Sequence, residues 1–340
     1  MSQLPLGLAA VVFAVAAVAV WVAGVRLSNA TDLLSGRLRL GEALGGVVLL
    51  AIVTNLPEIA ITSTAALDHK LDLAVGNILG GIAIQTVVLV ALDAFGVRDR
   101  PLTNAAVDLV LVLEGAVLIA ILVIVIMGTR LAPSITFARL DPADALIVVV
   151  WIAGVWLVSK ARTGIPWRAE SAERQPAQQD DTSASTARAV VVFAVASLVT
   201  LGAGVALTQT GERIADALHM TGVIFGSTVL AAVTALPELS TGLSAMKLRA
   251  YDLAISDIFG GNAFLPVLFL VATLLSGQPV LPSAHASDIY LAGLGILLTC
   301  IYLGGLIFRY RRQVVRLGYD SLAILAVYVL GVLGLFAVRG

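Results

Sequence analysis

Two glutamates, Glu58 and Glu238, each follow a proline inside an apolar stretch of the sequence. Each ends the same pattern, Thr-x-Leu-Pro-Glu, so that Thr54 and Thr234 precede the two glutamates by four residues. Residues four apart lie on one face of a helix, and we therefore expect each hydroxyl to share a face with its carboxylate. Proline removes a backbone donor, which leaves carbonyl groups near the threonines free to face a cation in a cavity. Oxygen ligands of these kinds suit hard cations such as Ca²⁺ or Na⁺.

The apolar segment that follows each motif carries another polar residue at the matching place. This residue is Asn77 in the first segment and Asp257 in the second, and a pair of glycines that permits close backbone approach follows each of them. Two carboxylates ~4 Å apart repel each other by ~4 kcal/mol at an effective dielectric constant of ~20. Three acids around one point therefore cannot all stay ionised and empty. We expect such a cluster to hold metal ions or protons.

The composition indicates what kind of protein positions these residues. Of 340 residues, 59% are hydrophobic and 13% are charged, and the mean hydropathy is +1.00. A soluble domain is nearer half apolar and about a quarter charged, so a water-soluble globular protein is nearly excluded. A single cysteine excludes a disulfide framework, and a net charge of −1 offers no general basic surface for nucleic acid. The sequence predicts an all-α polytopic membrane protein.

The apolar runs predict ten transmembrane helices, since about 20 apolar residues cross ~30 Å of hydrocarbon. The predicted spans are 6–26, 40–67, 71–94, 104–127, 143–159, 188–208, 220–246, 250–275, 287–308 and 320–338. The positive-inside rule favours an N-terminus outside and the polar stretch 160–187 as a flexible linker in the cytosol. This orientation leaves few of the 21 Lys and Arg residues outside: Lys70, Arg130, Arg139, Arg213 and Arg339. We expect the protein in the cell membrane.

The sequence matches itself without a gap at an offset of 180 residues. Residues 11–16 and 191–196 both read VVFAVA, and the motif at 54–58 returns at 234–238. Each copy holds five predicted spans, and an odd number makes the second copy enter the membrane from the opposite side. We therefore predict a five-helix repeat over 1–159, a linker over 160–187 and a second, inverted five-helix repeat over 188–340. Inverted repeats are a common transporter plan, with the substrate site near the midplane.

The two Thr-x-Leu-Pro-Glu motifs, followed by GNILGG at 76–81 and SDIFGG at 256–261, resemble the signature repeats of the calcium:cation antiporter superfamily. That superfamily includes sodium/calcium and proton/calcium exchangers. The resemblance implies two central glutamate ligands for calcium, two threonine oxygens and an adjoining Asn and Asp. The predicted metal-binding residues are therefore Glu58, Glu238, Asp257, Asn77, Thr54 and Thr234. It also implies a transporter without enzyme activity or cofactor, whose partners are Ca²⁺, Na⁺ or H⁺ and the lipid bilayer.

The sequence departs from the sodium-type pattern of that superfamily at several positions. Asn55 and Ala235 stand where serine is usual, and Leu73 and Leu253 stand where hydroxyls are expected. Side-chain oxygens that complete flanking sodium sites are thus largely absent, whereas proton coupling needs only carboxylates that change protonation. We predict Ca²⁺/Na⁺ antiport by alternating access, with H⁺/Ca²⁺ or other cation/H⁺ exchange as the alternative. Two other classes are an intramembrane aspartyl protease, since acids within spans could activate water, and a cation channel.

Two further polar residues within the predicted spans leave alternatives open. Glu114, whose repeat mate is Leu294, fits either a second protonatable site or a partner for a polar group elsewhere. Gln85, whose repeat mate is Leu265, is expected to form a hydrogen bond between helices.

Overall fold

The computed structural model describes residues 5–38, 52–97, 99–132, 141–164 and 186–338, and this part of the chain is predominantly helical. The helices of the first half are α1 (Leu6–Leu38), α2 (Leu56–Leu67), α3 (Leu71–Gly96), α4 (Leu102–Ala105), α5 (Val110–Gly128) and α6 (Pro142–Gly164). Those of the second half are α7 (Thr186–Ala217), α8 (Gly222–Phe225), α9 (Ala231–Thr234), α10 (Leu236–Lys247), α11 (Tyr251–Phe264), α12 (Leu268–Ser276), α13 (Ala286–Phe308) and α14 (Tyr319–Leu335). A π-helical turn over Gly226–Leu230 joins α8 to α9, and a 3-10 turn over Leu265–Val267 joins α11 to α12.

The helices have the length and composition of membrane spans. Within the described ranges, 8 helical segments are long and apolar enough to cross a membrane, and α2 and α14 are shorter apolar helices of 12 and 17 residues. The expectation of an apolar, predominantly helical protein is confirmed. Residues 40–51 of the second predicted span and 165–185 of the predicted linker lie outside the described residues. The number of ten spans stays a prediction.

A short β-hairpin departs from the all-α prediction. Strands β1 (Gln313–Val314) and β2 (Leu317–Gly318) pair antiparallel between α13 and α14. Val315 and Arg316 form the turn with φ of 50° and 67°. Two left-handed turn residues match the twist of paired strands, although this conformation is unusual for a β-branched residue such as valine.

Helix α3 is the centre of the molecule. Of an apolar 18-residue stretch of α3, 72% is buried inside the protein, compared with 22% of such a stretch in α1. Helix α1 packs along α7 and turns a row of apolar side chains outward, among them Val11, Val15 and Val18. In a bilayer these side chains contact lipid instead of water. By contrast α3 packs against α8, the π-helical turn and α10, so that a helix of the first half is enclosed by elements of the second.

Two glycines let α3 approach the second half closely. A Cβ added at Gly76 would lie 2.6 Å from the carbonyl oxygen of Val223, and one added at Gly80 would overlap the backbone of Ser227. Real Cβ atoms do not tolerate such distances, so these two positions require glycine. Small residues at a helix interface permit this kind of backbone contact in membrane proteins.

We expect Gly80→Ala to destabilise the protein by about 1–3 kcal/mol, the usual cost of overpacking a core. The matched control is Gly202→Ala in α7, where an added Cβ meets no described atom within 4 Å. That change should be neutral or slightly stabilising, because alanine favours a helix over glycine by about 1 kcal/mol. Thermal unfolding in detergent, read as the monodisperse fraction after heating, measures the difference. Equal midpoints for the two variants would contradict the close contact.

Candidate cation site

Both glutamate-bearing helices begin directly after a break in the helical backbone. The breaks fall at Asn55 (φ −96°, ψ 21°) and Ala235 (φ −83°, ψ −1°), and a proline lies at the start of the helix that follows each of them. Because proline has no N–H, it leaves a carbonyl of the preceding turn without its helical partner. The helix then resumes, with the N–H of Ile59 donating to the Asn55 carbonyl at 3.0 Å and that of Leu239 to the Ala235 carbonyl at 3.1 Å.

These breaks place each glutamate in the first turn of a helix, Glu58 in α2 and Glu238 in α10. The N-terminal end of a helix carries a partial positive charge, which favours an ionised carboxylate there. In the second half the break is preceded by the π-helical turn over Gly226–Leu230, a type of turn that recurs at functional sites. The stretch that the repeat relates to this turn, 46–50, lies outside the described residues.

The two glutamates come together in the interior. Glu58 is 0% exposed and Glu238 is 8% exposed, and their carboxylates lie within electrostatic range of each other. Both carboxylate oxygens of Glu58 and Oε2 of Glu238 are buried without a hydrogen-bond partner in the described part of the chain. A buried ionised carboxylate is costly unless a charge or hydrogen bonds compensate it. This pair is therefore a place where the protein favours a positive ion or a proton.

A hydroxyl of the second half joins the glutamate of the first. The Thr234 side chain lies beside the Glu58 carboxylate while its Oγ1 donates to the Ala231 carbonyl at 3.2 Å. Thr54, its repeat mate, is half-buried, and its Oγ1 accepts a hydrogen bond from Nδ2 of Asn55 at 3.4 Å.

The Asp and Asn of the following helices lie in different surroundings. Asp257, on α11, is half-buried and within electrostatic range of Glu238. Asn77, on α3, is 0% exposed and packs on Gly226, and neither of its amide atoms has a hydrogen-bond partner among the residues described. The structure thus groups Glu58, Glu238, Thr234 and Asp257, with Asn77 at the contact between α3 and the π-helical turn.

Gln85 lies near the helix break at Asn55, beside Gly261. A Cβ added at Gly261 would lie 3.7 Å from Oε1 of Gln85 and 3.6 Å from Nδ2 of Asn55. The Gln85 oxygen is buried and has no hydrogen-bond partner in the described ranges, in contrast to the predicted bond between helices. The available signal was spacing, because Asn77, Gly81 and Gln85 recur every four residues and share one face of α3.

The acids do not form a ready-made chelating group. Across the described ranges, no three Asp, Glu, His or Cys side chains converge as a metal site would require. A cation between the two glutamates would therefore need oxygen ligands of other types, and the threonine hydroxyls, amide oxygens and backbone carbonyls at the helix breaks can supply them. The role of the six predicted residues as metal ligands stays a prediction.

Glu114 forms hydrogen bonds with polar side chains of two other helices. Its Oε1 accepts hydrogen bonds from Nη2 of Arg162 at 2.7 Å and from Oγ of Ser256 at 3.0 Å. Sequence reasoning left this role open and did not find the two partners, which lie on other helices.

Comparison with known proteins places the chain in a family. A model of the family described as sodium/calcium exchanger protein matches residues 8–159 and again residues 188–337. The chain belongs to this family. The prediction that it is a member of the calcium:cation antiporter superfamily is confirmed.

The chain is similar in sequence to two bacterial proteins. It is 26% identical over 267 residues to the inner membrane protein YrbG of Escherichia coli (strain K12), covering 77% of this chain and 78% of the relative. It is also 26% identical over 268 residues to the putative antiporter CaxA of Alkalimonas amylolytica, covering 77% of this chain and 80% of the relative.

Two solved structures share the fold of this protein. The crystal structure of the H⁺/Ca²⁺ exchanger CAX superposes with a TM-score of 0.71 and 14% identity, covering 98% of this chain and 82% of that one. The sodium-calcium exchanger NCX_Mj superposes with a TM-score of 0.60 and 16% identity, covering 99% of this chain and 100% of that one.

We expect Ca²⁺ to raise the thermal unfolding midpoint of the purified protein, since a ligand at about a hundred times its Kd stabilises the native state by about 2.7 kcal/mol. Glu58→Gln and Glu238→Gln should each remove most of this shift, because each loses one carboxylate of the pair. The unfolding midpoint is measured in detergent with and without Ca²⁺.

The matched control is Glu212→Gln. Glu212 forms an ion pair with Lys70 at 2.5 Å between partly exposed side chains, and this contact raises the pKa of the Lys70 ammonium. The calcium shift of this variant should equal that of the wild type. A full calcium shift in both glutamine variants of the buried pair would contradict the site.

Proposed function

We propose that the protein is a secondary antiporter that exchanges Ca²⁺ for Na⁺ by alternating access. The observation that carries the proposal is the burial of Glu58 and Glu238 within electrostatic range of each other. Thr54, Thr234, Asn77 and Asp257 complete the proposed ion site. Family membership and the shared fold of two exchangers support the proposal.

The charge of the site provides the reason for exchange rather than one-way transport. When Ca²⁺ leaves, two carboxylates face each other in a nonpolar interior, and their repulsion is ~4 kcal/mol at ~4 Å with an effective dielectric constant of ~20. A carrier whose site is empty and ionised can pass through the closed conformation only by bearing this repulsion. Na⁺ or H⁺ removes the cost, and the return step therefore carries the counter-ion.

The proposed architecture is ten spans in two inverted repeats, 1–159 and 188–340, joined by a cytosolic linker at 160–187. A contact between two residues that the repeat relates supports it. Asn262 Nδ2 donates to the carbonyl of Ile82, its own repeat mate, at 3.4 Å. Such a contact arises where two related halves meet. We place the N-terminus outside and the protein in the cell membrane, on the distribution of Lys and Arg.

The coupling ion has a second candidate, H⁺. Leu73, Leu253 and Ala235 bring no side-chain oxygen to the positions where flanking sodium ligands are expected. Na⁺ needs several oxygen ligands, whereas a proton needs one carboxyl group. This observation favours H⁺/Ca²⁺ exchange as the alternative on the same fold.

The other function classes have less support. A protease of the intramembrane aspartyl type needs two cooperating aspartates, and the acid within electrostatic range of Asp257 in the described site is Glu238. A channel needs a continuous open path, and conductance above carrier rates in a bilayer recording would favour it over an antiporter.

Calcium uptake into proteoliposomes tests the proposal. An outward Na⁺ gradient should drive uptake of external Ca²⁺, and an outward H⁺ gradient should not, if Na⁺ is the counter-ion. The reverse result would establish H⁺ coupling. Glu58→Gln and Glu238→Gln should lower either uptake at least about tenfold, a loss equal to ~1.4 kcal/mol.

Glu212→Gln is the control and should transport at the wild-type rate. Uptake that follows neither gradient, or full exchange by both glutamine variants of the buried pair, would overturn the proposed function.

A further inference from the structure

A polar network centred on the buried Glu114 carboxylate joins three helices beside the proposed site. Nη2 of Arg162, near the end of α6, donates to Oε1 of Glu114 on α5 at 2.7 Å and contacts Oγ of Ser256 on α11 at 2.5 Å. The Ser256 hydroxyl also reaches Oε1 of Glu114, at 3.0 Å. Glu114 is 7% exposed, whereas the Arg162 side chain is 47% exposed. One carboxylate oxygen therefore links α6, α5 and α11.

The network depends on all of its charges. Hydrogen bonds between guanidinium and carboxylate groups are short and about twice as strong as neutral ones. Glu114 is buried, and Arg162 supplies its counter-charge from a partly exposed position, as long basic side chains do when their stems lie along apolar surface. Removal of one partner from such a pair leaves the other charge buried without compensation, which is strongly destabilising.

The network holds the residue next to a proposed calcium ligand. Ser256 directly precedes Asp257 on α11, and Asp257 lies within electrostatic range of Glu238. A helical turn moves as a unit, so a hydroxyl held by two neighbouring helices also fixes where the Asp257 carboxylate stands. Side chains at a binding site keep their geometry only when their neighbours hold them in place.

The two halves of the chain achieve this positioning in different ways. The repeat mate of Ser256 is Gly76, which directly precedes Asn77 and packs on the backbone of Val223. The repeat mate of Glu114 is Leu294, which is apolar. The first half therefore positions its Asn by close backbone packing, and the second half positions its Asp by a hydrogen-bonded ion pair.

We propose that Arg162 and Glu114 are positioning residues for Asp257 and that, through Ser256, they set the calcium affinity of the site. The inference rests on the proposed function, because it needs Asp257 to be part of the ion site. Arg162 and Glu114 do not contact the ion themselves.

The test separates affinity from transport rate in proteoliposomes, with Ca²⁺ binding to the purified protein as a readout that does not depend on transport. We expect Arg162→Gln and Ser256→Ala to raise the half-saturating Ca²⁺ concentration, by about tenfold for the arginine, which corresponds to ~1.4 kcal/mol. The maximal rate should change less than about twofold, since a tenfold change in rate would itself correspond to ~1.4 kcal/mol in the barrier. Arg162→Lys should recover part of the affinity.

A double-mutant cycle distinguishes positioning from a general structural role. In an Asp257→Asn background, Arg162→Gln should have no further effect on Ca²⁺ binding, because the carboxylate that it positions is gone. The double variant Glu114→Gln/Arg162→Gln leaves no uncompensated buried charge and keeps the test valid if Arg162→Gln alone does not fold. The control is Lys160→Gln, which removes a charge from the same end of α6 and should bind Ca²⁺ like the wild type.

The outcomes separate the inference from the proposed function. If Asp257→Asn binds Ca²⁺ normally, Asp257 is not part of the site and the proposed function is wrong at that residue. If Asp257→Asn weakens binding but Arg162→Gln does not, only the positioning role is wrong. The positioning role would also be overturned if the effects of Asp257→Asn and Arg162→Gln on Ca²⁺ binding were independent and additive.

Discussion

Repulsion between two carboxylates in a nonpolar interior is the constraint on which the rest of this structure depends. Glu58 and Glu238 each stand in the first turn of a helix, where the helix dipole contributes about 0.3–1 kcal/mol and up to ~2 kcal/mol in partly buried sites. For comparison, two carboxylates ~4 Å apart would repel each other by ~4 kcal/mol at an effective dielectric constant of ~20. Two dipoles at typical strength do not offset a repulsion of that size. In the proposed antiporter, a mobile cation or a proton supplies the remaining compensation.

The same constraint explains the combination of breaks and close packing around the pair. A continuous helix would use its carbonyl groups internally and offer a cation only side chains. The prolines that follow the breaks at Asn55 and Ala235 leave backbone oxygens unpaired just before the two glutamates. The glycines of α3 then bring the second half into direct backbone contact. In hydrocarbon an unpaired carbonyl is tolerated only inside protein or a cavity, so the breaks require the tight contact.

Much of this site could be predicted from one sequence, because the duplication places the same motif twice and the halves meet around it. The sequence predicted the apolar helices, and it predicted that Glu58 and Glu238 belong to one site. It could not predict Gln85 beside Gly261, or Arg162 with Glu114 and Ser256, because these contacts depend on how helices far apart in the chain come to face each other. Spacing along α3 places Gln85 on the same face as Asn77, but it does not show which residues of other helices lie against that face. The β-hairpin was also missed, since a polar stretch between two spans gave no strand pattern.

Duplication followed by divergence gives the halves matching carboxylates and different neighbours. A carrier with two equivalent halves would present the same site from both sides of the membrane and bind each ion equally at both. Here Asp257 replaces the amide of Asn77, and a charged network replaces the glycine contact at Gly76. An extra carboxylate on one side of the pair makes the field around the two glutamates unequal. The ion gradients set the direction of net exchange in a secondary antiporter. In the proposed carrier this inequality can therefore change only the apparent affinity for each ion on the two sides of the membrane.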